Sequence, residues 1–175
     1  HLYGVIFNGF GAMLTPRNLW NLSVQTSSIG IMATGMVLVI VTRHIDLSVG
    51  ALVGVTGMTM GIIQVEVLPQ FLGLGHPMIW ILTGTFGILL GMTIGAFHGW
   101  LIAYRGIPAF IVTLGTMGIY RSLVTYMADG GTLSLNFTIG DVYSEVYYGT
   151  LLGLPYPVWV FLAVAIIGYV LLNMT

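Results

Sequence analysis

The sequence predicts an all-α, polytopic bundle of transmembrane helices, and three observations carry that expectation. Charged residues make up 5% of the 175 positions, against about 25% in a typical soluble domain. The hydrophobic share is 57% and the mean hydropathy is +1.01, values that leave no soluble class in competition. Apolar runs of membrane length recur along the chain, whereas strand-like alternation is absent, which argues against a β-barrel.

About five spans are expected, each near the roughly 20 residues that cross a bilayer. The first covers residues 22–41, after a turn-like Thr15-Pro16-Arg17-Asn18. The second covers 48–67. The third, 78–104, is long enough to cross with tilt. The fourth covers 107–127, with Pro108 at a tolerated first-turn position. The fifth starts at Pro155 or Pro157 and runs to Thr175. Connections are expected at 68–77, at Arg105-Gly106 and at 129–154. The last holds Asp129, Asp141 and Glu145 and reads as an extramembrane loop with a short surface helix. The opening LYGVIFNGF reads as the tail of an upstream span, and Thr175 falls inside an apolar run. Residues 1–175 are therefore read as a single transmembrane domain cut from a longer chain.

Charge sets the expected orientation. The chain has four Arg, no Lys, five acids and a net charge of -1, which provides no basic footprint for nucleic acid. Alternating spans put Arg43 and Arg105 on one side, opposite loops that lack Arg and Lys. Positive-inside reasoning makes the Arg43/Arg105 side cytoplasmic, with Arg17 against the pattern. There is no Cys, so disulfides, thiolate metal sites and a Cys nucleophile are excluded. Without Lys the chain cannot be a P-loop ATPase. No catalytic residue, metal site or cofactor is expected.

Small and polar residues mark the candidate sites. Gly87, Gly91, Gly95 and Gly99 recur every fourth residue on the third span and share a face that lets another helix approach closely. The second span carries Gly50, Gly54, Gly57 and Gly61 in the same way. Arg43-His44-Ile45-Asp46 interrupts two apolar runs, and a carboxylate near hydrocarbon needs a partner, water or a role. Two readings stay open. In one, Arg43 and Asp46 pair in an interfacial turn. In the other, the helix breaks beside a transport path, and Asp46 and Ser48 satisfy freed backbone groups, which is allowed where protein or a water-filled cavity covers them. Thr113 and Thr116 share a face of the fourth span, with Arg121 one turn past Met117. Facing a cavity, they present hydroxyl and guanidinium groups suited to a neutral polyol. Otherwise the threonines bond to their own backbone and Arg121 snorkels. His98, in an apolar Gly-rich helix, is read as a hydrogen-bonded packing residue.

Two runs together carry a resemblance: MLTPRNLWNLSVQTSSIGIMATGMVLVIVTRHIDLSVG over residues 13–50, and GAFHGWLIAYRGIPAFIVTLGTMGIYRS over 95–122. With IDLSVG and IPAFIVTLGTM about sixty residues apart, the chain resembles the permease subunits of bacterial ABC importers for monosaccharides, the ribose/xylose/galactoside group. The flank around Trp100 and Tyr104-Arg105 is closest to xylose-type members. The chain departs from the pattern at His98, where the family usually has Asn, and at Ser122, where it has Gly. The resemblance implies the N-terminal half of a permease of about ten spans in the bacterial inner membrane. It implies a homodimer with a second permease copy, cytosolic ATPase subunits and a periplasmic sugar-binding protein. The residues themselves nominate Asp46, Ser48, Thr113, Thr116 and Arg121 for the substrate pathway. The expected function is passage of a monosaccharide, a pentose such as xylose, powered by the partner ATPases. A secondary transporter with Asp46 as its ion-coupling site is the rival. An intramembrane enzyme is a weaker one, because no His/Asp or Ser/His pair has nucleophilic spacing.

Overall fold

A computed structural model describes residues 15–129 and 149–174. The apolar runs form α1 (Pro16–Val41), α2 (Val49–Ile62), α3 (Leu68–Leu72), α4 (Met78–Ala103), α5 (Ala109–Met127) and α6 (Tyr156–Met174). A π-helical turn over Ile63–Val67 joins α2 to α3, and a two-residue hairpin, β1 (Thr150–Leu151) and β2 (Leu154–Pro155), precedes α6. The tail of an upstream span expected at residues 2–10, and most of the 129–154 loop with Asp141 and Glu145, lie outside the described residues.

Two boundaries differ from expectation, both at proline. The stretch read as a turn at Thr15–Asn18 starts α1, with the Asn18 and Leu19 N–H groups each donating to Thr15 O at 3.0 Å. Proline has no N–H to lose in a first helical turn, so the residues that suit a turn suit a helix start as well. The second span does not stop at Val67 but continues to Leu72. Proline inside an α-helix would clash with the carbonyl four residues back. Here the chain widens just ahead of Pro69: Leu68 N–H donates to Ile63 O, five residues back, and Pro69 sits in the first turn of the next helical segment.

Among the described residues four helices are long and apolar enough to cross a membrane: α1, the continuous 49–72 segment, α4 and α6. Expected as the fourth of five spans, α5 has 19 residues. It has the length of a span, but Thr113, Thr116, Arg121, Ser122 and Thr125 lower its apolar content. The side chains follow membrane logic. Ile88, Met92, Phe110, Ile119 and Ile166 are exposed, and helical hydroxyls return to their own carbonyls, as in Thr83 to Ile79 O at 2.7 Å and Thr59 to Val55 O at 2.7 Å.

The chain divides into two compact units. One comprises residues 1–38 and 145–175. In it α1 and α6 meet at glycines: a Cβ on Gly168 would lie 2.7 Å from Thr34 Cγ2, and one on Gly30 would lie 2.6 Å from the Phe161 ring. The hairpin pairs Thr150 with Pro155 and Leu151 with Leu154. Its turn residues, Leu152 and Gly153, both have positive φ, at 54° and 81°, as a two-residue turn matched to strand twist requires. Trp159 Nε1 donates to Leu151 O at 3.0 Å, tying the hairpin to α6.

The other unit comprises residues 39–144. In it α2 packs against both α4 and α5, around buried Val55, Ile79, Thr83, Ala109 and Val112. Of the four glycines spaced along α4, a Cβ on Gly87 would run into the Met60 side chain, whereas Cβ atoms on Gly91, Gly95 and Gly99 would meet nothing within 4 Å. Fourfold spacing says which residues share a helix face, not what covers it. Among the described residues only the Gly87 end is covered.

Candidate functional site

The helix break between α1 and α2 forms because the sequence stops being apolar there. After Val41 the chain turns through Arg43, whose φ is 61°. The Arg43 and His44 N–H groups donate back to Ile40 O and Val39 O at 2.8 and 3.2 Å, and the chain stays non-helical until α2 starts at Val49. Asp46 organises the restart. Its Oδ1 accepts from the Ser48 N–H at 2.7 Å and from the Ser48 hydroxyl at 2.6 Å. This local turn satisfies a donor at the head of a helix, where backbone N–H groups have no internal partner. Ser48 is wholly buried, at 0% exposure. Asp46 thus takes Ser48 as its partner, and among the described residues it makes no ion pair with Arg43, which is exposed. Upstream, Thr42 donates to Val39 O at 2.7 Å, and His44 Nδ1 lies 3.1 Å from the Thr42 hydroxyl.

The second wall comes from α4 and α5. They are joined by Tyr104–Pro108, where Gly106 has a φ of 66°, a left-handed value that glycine adopts without strain. The Arg105 guanidinium lies 4.8 Å from the Trp100 ring centroid, within cation–π range. Thr113, on α5, is 2% exposed. It donates to Ala109 O at 2.9 Å and stands 3.5 Å from Ile45 O across the break. His98, on α4, is 6% exposed. Its Nε2 shares a hydrogen bond of 3.0 Å with the Tyr120 hydroxyl, and the two rings stack with centroids 5.9 Å apart.

Between these walls lies a cavity of about 400 Å³, lined among others by Thr42, His44, Asp46, His98 and Thr113. Gly95 and Gly99 line it too, so the bare face of α4 leaves room here. A recess of about 410 Å³ shares His44 and Ile45 with this cavity and is bounded further by Arg43, Gly106 and Pro108.

The structure therefore gathers Asp46, Ser48 and Thr113 at one place. Thr116, one turn further along the same face of α5, is not among the residues lining the cavity: it is half-buried, with its hydroxyl donating to Val112 O at 2.9 Å. Arg121 lines a separate cavity of about 460 Å³ with Leu47, Gly50, Gly54 and Met117. Eight residues beyond Thr113 on a helix of 3.6 residues per turn, Arg121 points about 80° away from it. Sequence reasoning took His98 for packing and did not single out Tyr120. A signal for Tyr120 exists: it lies seven residues after Thr113 and four after Thr116, on the same helix face.

Comparison with known proteins places these features in a family context. Residues 18–175 match the family described as branched-chain amino acid transport system / permease component. The chain is 39% identical over 147 residues to the xylose transport system permease protein of Escherichia coli (strain K12), covering 82% of this chain and 35% of that protein. To the xylose transport system permease protein of Haemophilus influenzae it is 38% identical over 165 residues, covering 92% and 39%. To the ribose import permease protein of Escherichia coli (strain K12) it is 34% identical over 163 residues, covering 92% and 47%. The chain thus spans less than half the length of these curated relatives. No solved structure matches it.

Proposed function

Because the chain belongs to the branched-chain amino acid transport system / permease component family, in its ribose/xylose branch, we propose that it is part of the membrane permease of an ABC importer for a monosaccharide. It is a multi-pass protein of the bacterial inner membrane. The substrate is a pentose, and xylose is favoured over ribose by identities of 39% against 34%. The observation behind the monosaccharide reading is the similarity to xylose and ribose permease proteins, at 39% and 34% identity; the match over residues 18–175 supports the permease role.

The geometry is suited to that role. A cavity of about 400 Å³ falls in the size range of small-molecule sites. Its lining combines apolar walls with Asp46, His44, His98 and Thr113 and includes no Arg, which suits a polar, uncharged solute. The adjoining recess leads toward Arg43 and Gly106, the side that charge reasoning makes cytoplasmic. Asp46, Ser48 and Thr113 shape the path at the α1–α2 break. Thr116 and Arg121 act outside this cavity, Arg121 at the groove between α2 and α5. Gly95 and Gly99 open onto this cavity, whereas Gly91, away from it, leaves room for a second permease copy or other spans to approach.

The mechanism is that of a passive gate. A loaded periplasmic binding protein docks outside, ATP binding closes the cytosolic ATPase subunits, and two permease copies rock between outward-open and inward-open states. No bond is made or broken in this chain. Reconstitution into lipid vesicles of the full permease with its ATPase and binding protein tests the reading. Labelled pentose should enter only with ATP on the ATPase side, and uptake should vanish when the ATPase is left out. Uptake driven by a proton gradient alone would overturn it and point to Asp46 as an ion-coupling group.

A further inference from the structure

We infer that His98 is a substrate-contacting, specificity-determining residue of the Asp46 cavity, held in place by Tyr120, and that His98 and Asp46 together take two hydroxyls of a neutral polyol. The inference rests on the transport reading above and deepens it.

A buried imidazole costs free energy unless its nitrogens find partners. His98 is 6% exposed in a helix turn flanked by Gly95 and Gly99, and among the described residues one of its nitrogens is engaged while the other is not closed off as a buried unpartnered atom. Nε2 shares its hydrogen bond with the Tyr120 hydroxyl at 3.0 Å, and the stacked rings, tilted by 22°, fix the plane of the imidazole. Among the described residues Nδ1 has no hydrogen-bond partner. Whichever nitrogen carries the proton, Nδ1 takes the complementary role toward a ligand, because a neutral imidazole has one donor and one acceptor.

The same cavity presents a second unused polar edge. Asp46 spends Oδ1 on both Ser48 contacts, and Oδ2 has no partner among the described residues. Asp46 and His98 therefore line one space of about 400 Å³ whose other walls are largely apolar, each with one side-chain polar atom unengaged among the described residues. A hydroxyl can donate to a carboxylate and can either donate to or accept from imidazole, so a polyhydroxy compound satisfies both edges. An anion would meet the Asp46 carboxylate with no cation lining the cavity. A simple pin between α4 and α5 would need the Tyr120 contact alone, and would give no reason for the imidazole to border the cavity.

The test pairs side-chain changes with substrate changes in the complete importer. Uptake of the transported pentose and of each of its monodeoxy analogues is measured for the parent, His98→Phe, His98→Asn and Tyr120→Phe, each normalised to permease abundance in the membrane. Comparing sugars across variants cancels the binding protein's own preference. His98→Phe keeps a ring to stack on Tyr120 and removes both nitrogens. It should lower pentose uptake about tenfold, the scale of one lost hydrogen bond, while leaving unchanged the uptake of the one analogue that lacks the contacted hydroxyl. His98→Asn, which retains a donor and an acceptor, should restore most of the loss. Tyr120→Phe should show the same hydroxyl-selective pattern more weakly. A loss equal for every sugar, or no loss at all, would overturn the inference and leave His98 as a pin. Failure of the parent complex to take up any pentose with ATP would instead bring down the transport reading, and this inference with it.

Discussion

Replacing Asp46 with alanine is expected to abolish uptake and to loosen the start of α2, whereas asparagine should separate the two effects. In the native chain Oδ1 of Asp46 accepts from both the N–H and the hydroxyl of Ser48, a residue with no exposed surface. Alanine leaves two buried donors without an acceptor, at about 1–3 kcal/mol for each unsatisfied group. Asparagine keeps an oxygen in place for Ser48 and removes only the charge. Asp46→Asn protein should therefore insert into the membrane and resist thermal unfolding in detergent like the parent. Its ATP-driven uptake should fall about tenfold, since a hydrogen bond to a charged group is worth about 1–1.5 kcal/mol more than a neutral one, close to a factor of ten in affinity. Full uptake by the Asn variant would confine Asp46 to holding the helix start.

Gly87→Leu is expected to be the most damaging packing change in the 39–144 unit. A Cβ there already runs into Met60, with Met60 Cγ at 3.1 Å, so a leucine must displace that side chain and push α4 away from α2. Overpacking of this kind typically costs about 1–3 kcal/mol. Two comparisons make the expectation specific. Met60→Ala in the same chain should recover part of the loss, because neighbouring sites couple. Gly91→Leu should leave the unit's own stability unchanged, because nothing lies within 4 Å of its Cβ position. Thermal unfolding of purified protein in detergent reads all three. Equal destabilisation at Gly87 and Gly91 would mean that a partner chain covers the whole glycine face.

These cases show what was legible in the sequence and what was not. The helices of unit length were legible because apolar runs must be long to cross a membrane, and the break at residues 42–48 was legible because Arg43, His44 and Asp46 cannot continue such a run. The extension to Leu72 was not, since Pro69 reads as a stop and a π-helical turn that relieves it leaves no mark in composition. The glycine stripe on α4 was legible as a face, but only Gly87 has a neighbour in this unit. Asp46 stood out by chemistry, yet its partner was read as Arg43 in one of two accounts. The side chain two residues on, Ser48, wins because a local turn needs no long side chain to be ordered. Thr113 and Thr116 share a face of α5, as their spacing predicts, but helix rotation turns Arg121 about 80° from Thr113, into a separate cavity. The His98–Tyr120 pair joins residues on different helices, and no spacing rule links those.

The central claim is that the cavity at the α1–α2 break lies on the solute's route, and the absence of native cysteine allows a direct test. Gly99 lines this cavity and has open space at its Cβ position, so Gly99→Cys should fold and transport. Gly91→Cys, also unobstructed but away from the cavity, serves as the control. In the complete importer, a small thiol-specific reagent should block ATP-driven uptake through Gly99→Cys, and the transported sugar should slow that reaction. Labelling at Gly91→Cys should leave uptake intact. Complete labelling of Gly99→Cys with undiminished uptake would contradict the account.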